Sequence, residues 1–303
     1  MDSLVLYAIA LLLLTYRVMA TRKNEELVFL AVFMAAGAAL ALYESADVFL
    51  MLLGILIFNG MASTYRTRDN YAFSALGIIF LLQTFYMISF AAQAMLLGFL
   101  SAAYFFTKHI ERANAAVEVR RDVVQLVLGF AFIIAFAFFP QAFVDLALIS
   151  FILGASVVGN FSVRHGERRI SKMLDSFERH GAVLGQGAMW LAAGALMAIA
   201  FLHSGILVAV LAAIMLGDAA ATLVGTRYRR PLPYNKKKSA YGTLAYFAVA
   251  ALVAYPFVGY ACIAIGLVGA LVESLPVHID DNLDTAVALT VFAIALGYLG
   301  LVA

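Results

Sequence analysis

The chain alternates between long apolar blocks and short polar connections. The blocks run for roughly 17–21 residues, which is the length an α-helix needs to cross a hydrocarbon core about 30 Å thick. They lack the short alternating strands of a transmembrane barrel. The pattern therefore predicts an all-α protein, a polytopic transmembrane helical bundle.

The apolar blocks predict about twelve spans, each the length of a membrane-crossing helix. They cover residues 3–20, 27–43, 47–62, 71–89, 91–107, 123–139, 142–160, 183–202, 204–224, 240–255, 257–274 and 284–302. The break near Ser89-Phe90 and the turn predicted at Tyr255-Pro256-Phe257 are short and uncharged, so the count depends on both.

Composition agrees with this class. Hydrophobic residues make up 65% of the 303 and charged residues only 13%, whereas a soluble domain carries about 25% charged residues. This balance excludes a disordered chain, a coiled coil and a nucleic-acid-binding module.

The distribution of basic residues predicts the topology. All 20 Lys and Arg fall in the odd-numbered connections or, for Arg17, in the last turn of the span before one, and the even-numbered connections contain none. Because basic residues concentrate in cytoplasmic loops, the odd connections are expected to be cytosolic and both termini to lie outside. The connections at 225–239 and 275–283 then share the cytosolic face, where they can meet.

Two acids near the cytosolic ends of spans are candidate functional residues. Asp218 lies in the ninth span and Glu273 in the eleventh. An ionised carboxylate costs roughly 2.5–3.5 kcal/mol within the hydrocarbon region, so such a residue is a functional candidate by default.

Asp218 opens a segment that could bind phosphates. Small residues lead to Gly225, then six bases follow within the twelve positions 227–238, and Ser239 and Gly242 complete the segment. Basic side chains bind phosphate oxygens, and a neighbouring carboxylate could hold Mg²⁺ on them. The alternative is a basic loop that only sets topology.

The second connection is strongly acidic, which the positive-inside pattern does not explain. Its acids and amide are Glu273, Asp280, Asp281 and Asn282. Hard oxygen ligands of this kind suit Mg²⁺, and one carboxylate could act as a general base. The alternative is two loops joined only by salt bridges.

Together these residues resemble the CTP-dependent lipid kinases, a family of dolichol (polyprenol), phytol and diacylglycerol kinases that is related to the CDP-diacylglycerol synthases. The family signature is D-x-x-A-x-x-x-G-x-x-x-G, then K-K-[ST]-x-E-G, then E-x-x-P followed by D-D-N. This chain supplies Asp218, Ala221, Gly225, Lys237, Lys238, Ser239, Gly242, Glu273, Pro276, Asp280, Asp281 and Asn282. The resemblance implies a kinase-like membrane domain over 111–303, and leaves 1–110 as membrane helices of unassigned role.

The chain departs from the family pattern at three points. Arg229 replaces the second glycine, and Tyr241 replaces the glutamate of the K-K-[ST]-x-E-G block. An upstream R-K-x-x-H element corresponds at best to residues 121–125, where Gln125 stands in place of histidine. The resemblance therefore assigns no role to that element here and leaves room for an altered lipid acceptor.

The resemblance implies transfer of the γ-phosphate of CTP to a membrane isoprenoid alcohol (polyprenol or dolichol), with Mg²⁺, at the cytosolic face of a multi-pass membrane protein. The expected catalytic residues are Asp218, Glu273, Asp280 and Asp281. Those expected to bind nucleotide are Gly225, Arg227, Lys237, Lys238, Ser239 and Gly242, and those expected to bind metal are Asp218, Asp281 and Asn282.

Three alternatives remain open at the level of sequence. A cytidylyltransferase that acts on a lipid phosphate would use the same metal and basic residues. A kinase for phytol or diacylglycerol would differ only in its acceptor. An ion-coupled transporter would use Asp218 and Glu273 as an ion site, although transporters place such acids nearer the bilayer midplane.

Overall fold

The computed structural model describes residues 3–21, 57, 69–87, 117–140, 144, 186–276 and 281–302. These residues are helical, and they contain no strand beyond one isolated antiparallel bridge between Pro231 and Ser239. The helices are α1 (Ser3–Thr21), α2 (Asp69–Met87), α3 (Val117–Phe138), α4 (Gln186–Phe201), α5 (Ser204–Arg227), α6 (Ala240–Val258), α7 (Ala261–Ser274) and α8 (Asp281–Tyr298).

The prediction of an all-α protein is confirmed for the described part of the chain, where every helix coincides with one predicted apolar segment. The segments 27–43, 47–62, 91–107 and 142–160 lie outside the described residues apart from Ile57 and Val144. Two helices, α5 and α6, are long and apolar enough to cross a membrane. The number of twelve spans and the side of the termini remain predictions.

The break between α6 and α7 differs from the predicted turn at residues 255–257. Helix α6 continues through Pro256 and ends at Val258. Gly259 then adopts a φ of 55° and a ψ of −138°, a conformation open to glycine because it has no Cβ atom. The glycine, and not the proline, therefore sets this boundary.

The chain forms two compact units, one of residues 1–109 with 145–196 and the other of residues 110–144 with 197–303. In the first unit α1 packs against α2. The predicted division into 1–110 and 111–303 stays a prediction.

Helix α5 forms the core of the second unit. It contacts α3, α6, α7 and α8, and its residues from Ile206 to Gly217 are all buried. Glycines allow close approach on both sides of α6. A Cβ atom at Gly205 on α5 would lie 2.9 Å from the carbonyl oxygen of Phe257, and one at Gly266 on α7 would lie 2.9 Å from that of Phe247.

Helices α6 and α7 each leave an apolar stripe exposed. Leu244 and Leu252 form the stripe on α6, and Ile263, Leu267 and Leu271 form the stripe on α7, all at least half exposed. Residues spaced by four share one helix face. A face of large apolar side chains without cover from the described residues is what a helix in contact with lipid presents.

Candidate functional site

Residues 228–239 form a compact hairpin between α5 and α6. The Leu232 N–H donates to the carbonyl oxygen of Lys238 at 3.1 Å, and the Ala240 N–H donates to that of Arg230 at 2.8 Å. These bonds pair the two arms of the segment. The predicted basic loop is therefore an ordered element with its own backbone hydrogen bonds.

Ser239 closes the base of this hairpin. Its buried hydroxyl donates to the carbonyl oxygen of Tyr228 at 2.8 Å and accepts from the Arg230 N–H at 3.3 Å. The hydroxyl thus holds the start of α6 against the end of α5. Its contact with a nucleotide stays a prediction.

Gly225 and Gly242 bring α5 and α6 together directly below the hairpin. A Cβ atom at Gly242 would lie 2.8 Å from the carbonyl oxygen of Ala221 and 3.3 Å from the Cα of Gly225. A side chain at position 242 would push the two helices apart. The structure thus shows a packing reason for these glycines, and their predicted place in a nucleotide site is untested.

The hairpin docks on the carboxyl end of α7. The Ser274 hydroxyl donates to the carbonyl oxygen of Leu271 at 2.7 Å, so the Tyr234 hydroxyl donates to Ser274 Oγ at 2.9 Å. The amide of Asn235 donates to the carbonyl oxygen of Ser274 at 3.1 Å. The basic segment and the first residues of the acidic segment therefore meet, as their shared face predicts.

Lys238 forms an ion pair with Glu273 at this junction. The Glu273 side chain is 5% exposed and the Lys238 side chain 24% exposed. The carboxylate is therefore almost fully buried, whereas the lysine side chain is partly accessible to solvent. An ion pair here also fits the purely structural alternative of two loops joined by salt bridges. Lys238 itself can neutralise either Glu273 or a phosphate.

The other cations of the segment lie on its outer surface. Arg227, Arg229, Arg230, Lys236 and Lys237 are all exposed. Of the predicted nucleotide-binding cations, Arg227 and Lys237 therefore face solvent and Lys238 turns inward. Two exposed aromatic rings, Tyr228 and Tyr241, pack edge to face on this surface with centroids 6.3 Å apart.

Asp218 is half-buried on α5 and receives a hydrogen bond from α3. The amide nitrogen of the buried Gln125 donates to Asp218 Oδ2 at 2.9 Å and to the carbonyl oxygen of Met215 at 3.3 Å. The two helices approach closely one turn away, where a Cβ atom at Gly129 would lie 3.0 Å from Leu216 Cδ2.

Gln125 was not among the residues predicted from the sequence. It occupies the position where the resembled family has a histidine, and the structure shows that this residue contacts Asp218. The signal that could have identified it is an amide side chain within an apolar span, since a polar group there needs a partner. Its partner proves to be the predicted catalytic acid.

Tyr246 on α6 packs between the helices that carry the two acids, and it too is absent from the residues predicted from the sequence. A Cβ atom at Gly217 would lie 2.9 Å from Tyr246 Cζ, and one at Gly269 would lie 2.6 Å from its Cε1. Gly217 precedes Asp218, and Gly269 lies one turn before Glu273 on α7. The ring therefore fills the slot between α5 and α7 at the level of both carboxylates.

The remaining predicted acids lie at the edge of the described structure. Asp280 falls outside the described residues, and Asp281 and Asn282 form the first residues of α8. Among the described residues no group of three His, Cys, Asp or Glu side chains is placed to hold a metal. Asp218 and Glu273 are hard oxygen donors, and Mg²⁺ is commonly held by one or two carboxylates together with substrate phosphates. Their chemistry therefore fits a metal–nucleotide complex.

Comparison with known proteins identifies two distant relatives. The chain is 29% identical over 174 residues to an uncharacterised protein of Methanocaldococcus jannaschii, a match that covers 55% of this chain and 87% of the relative. It is 28% identical over 185 residues to the chloroplastic farnesol kinase of Arabidopsis thaliana, a match that covers 54% of this chain and 60% of that kinase. No family model and no solved structure matches the chain. The chain is thus a distant homologue of farnesol kinase.

Proposed function

We propose that this protein is a membrane kinase that transfers the γ-phosphate of CTP to a prenyl alcohol at the cytosolic face, with Mg²⁺. The observation that carries the proposal is that Asp218 and the Lys238–Glu273 ion pair lie on two apolar helices that pack against the same ring, that of Tyr246. The similarity to farnesol kinase supports the same chemistry. It also widens the expected acceptor from polyprenol or dolichol to prenyl alcohols of shorter chain.

The reaction asks mainly for alignment and charge compensation. The lipid hydroxyl oxygen forms a bond to the γ-phosphorus, the bond from that phosphorus to the bridging oxygen breaks, and cytidine diphosphate leaves. The hydroxyl proton passes to a carboxylate, for which Glu273 and the predicted acids Asp280 and Asp281 are the candidates. Lys238, with Arg227 and Lys237 from the outer surface of the hairpin, would compensate the phosphate charge.

Magnesium, when bound, would neutralise the phosphate oxygens and orient the γ-phosphate for in-line attack. Asp218 is the described residue best suited to hold it. Its Oδ2 accepts a hydrogen bond from Gln125, whereas Oδ1 accepts none from the described residues. Asp281 and Asn282 are the further ligands that the resemblance implies.

The acceptor is proposed to approach through the lipid. Leu267 and Leu271 on α7 form part of an exposed apolar stripe that leads to the carboxyl end of this helix, the end that carries Glu273. A prenyl chain in contact with this stripe would place its terminal hydroxyl at that end of α7.

The proposal is tested with purified protein in lipid vesicles that contain farnesol, polyprenol, phytol, diacylglycerol or phosphatidate, with Mg²⁺ present. CTP is supplied in parallel with its label at the γ- or the α-phosphorus. Label that reaches a prenyl alcohol from the γ position alone is the expected result. Label from the α position on a lipid phosphate would instead establish a cytidylyltransferase, and transfer from neither position by folded protein would favour transport.

A further inference from the structure

The Tyr246 hydroxyl is a buried hydrogen-bond donor without a partner. The residue is fully buried, and its hydroxyl has no hydrogen bond to any of the described residues. A buried polar group left unsatisfied bears the full cost of its lost hydration. Phenylalanine would fill the same space without that cost, so packing accounts for the ring of Tyr246 but not for its oxygen.

The position of this hydroxyl ties it to the proposed phosphoryl-transfer site. Asp218 and Glu273 both lie close enough to interact electrostatically with it. A Cβ atom at Gly269 would lie 3.0 Å from the hydroxyl oxygen, so the oxygen lies against α7 one turn from Glu273. The donor is thus on the side of the ring that faces α7, the helix that carries Glu273.

The hairpin closes the site on its outer side. Lys238 is paired with Glu273, and Asn235 is bonded to Ser274. A phosphate that took Lys238 from Glu273 would lie at this junction, one turn along α7 from the glycine against which the hydroxyl lies.

We infer that the Tyr246 hydroxyl is a further ligand-binding group of this site and donates a hydrogen bond to a phosphate oxygen of the bound nucleotide. The inference rests on the proposed function, because it takes the nucleotide as the ligand. A phenol suits the position, since a neutral donor can lie beside Asp218 and Glu273 without displacing Lys238 or a metal from them. A phosphate oxygen of the bound nucleotide would be the acceptor that the hydroxyl lacks.

The first test compares wild-type protein with Tyr246→Phe by thermal unfolding in detergent, with and without CTP and Mg²⁺. Because the variant loses an unpaired buried donor, its Tm without nucleotide is expected to equal or exceed that of the wild type. Its affinity for the nucleotide is expected to fall roughly 10-fold to 100-fold, the range for loss of a hydrogen bond to a charged acceptor. A lowered Tm without nucleotide, or an unchanged nucleotide affinity, would overturn the inference.

The same experiment separates this inference from the proposed function. If CTP does not stabilise the wild-type protein, both are overturned. CTP could instead stabilise the wild type and Tyr246→Phe equally, while wild-type protein in vesicles still transfers the γ-label to a prenyl alcohol. In that case only the inference about Tyr246 is overturned.

A matched pair of glycine variants provides the second test. In Gly269→Ala the new methyl group would lie 2.6 Å from Tyr246 Cε1 and displace the phenol, whereas in Gly266→Ala it meets the backbone of Phe247 and Ala251 on the same pair of helices. Both variants are expected to lower Tm, but only Gly269→Ala should also weaken CTP binding, by roughly tenfold or more. Equal affinities in the two variants would contradict the inference.

Discussion

The two carboxylates of the site have opposite kinds of partner. Asp218 on α5 receives a hydrogen bond from the neutral amide of Gln125, while Glu273 on α7 is paired with the cation of Lys238. The ring of Tyr246 lies between Gly217, which precedes Asp218, and Gly269, one turn before Glu273. Among the described residues, therefore, a cation pairs with Glu273 and none pairs with Asp218.

Under the proposed function, this difference gives the two halves different tasks. A neutral amide orients Asp218 and leaves its charge to attract a cation, which fits a metal ligand. Glu273 is nearly buried, where an unpaired charge is costly, and the ion pair with Lys238 offsets part of that cost. A phosphate that drew Lys238 away would expose the Glu273 charge at the moment a hydroxyl proton needs an acceptor.

The largest expected effect is at the uncompensated carboxylate. Asp218→Asn keeps the shape of the side chain and its acceptor for Gln125 but removes the charge. Turnover measured by transfer of the γ-label to a prenyl alcohol is expected to fall roughly 100-fold to 1,000-fold, the range for loss of one electrostatic group at a transferring centre. Normal helical circular dichroism would show that the fold is intact, and near wild-type turnover would refute the metal assignment.

An intermediate effect is expected at the ion pair. Lys238→Ala leaves Glu273 buried without its cation, so the free energy of unfolding should fall by up to about 3 kcal/mol. The KM for CTP should also rise more than the KM for the lipid. Lys236→Ala, on the exposed surface of the same hairpin, is the control. It should change the free energy of unfolding and the KM for CTP only slightly.

A double variant distinguishes stability from binding at this pair. Lys238→Ala with Glu273→Gln removes both charges and should recover stability without recovering turnover. An unchanged KM for CTP in Lys238→Ala would remove this lysine from the phosphate site.

The smallest expected effect is at the neutral partner. Gln125→Leu removes the donor that orients Asp218, and kcat is expected to fall roughly tenfold, which corresponds to about 1.4 kcal/mol for a hydrogen bond to a carboxylate. Gln125→His keeps a donor at the position and should stay within a few-fold of wild type. Equal kcat values in the leucine and histidine variants would show that Gln125 does not act through Asp218.

Much of the described fold follows from local sequence pattern. The length of the apolar blocks predicts every described helix, because the tendency of a long apolar segment to form a membrane-crossing helix depends on the residues of that segment. Asp218 and Glu273 were found because a charge in an apolar segment is costly and conspicuous. The turn predicted at Tyr255-Pro256-Phe257 was wrong, because the helix continues through Pro256 and ends at Val258, next to Gly259.

The helical class, the apolar segments and the acidic and basic residues that gather near two of their ends follow from the amino-acid sequence alone. Which of these side chains meet depends on the tertiary structure. Gln125 lies 93 positions from Asp218, and Lys238 lies 35 from Glu273. Such contacts depend on how each helix is rotated about its axis and on how closely small residues let the backbones approach. Gly217 and Gly269 allow this close approach on the two sides of Tyr246. Helix formation is local, whereas rotation and spacing are set jointly by all the helices of the bundle.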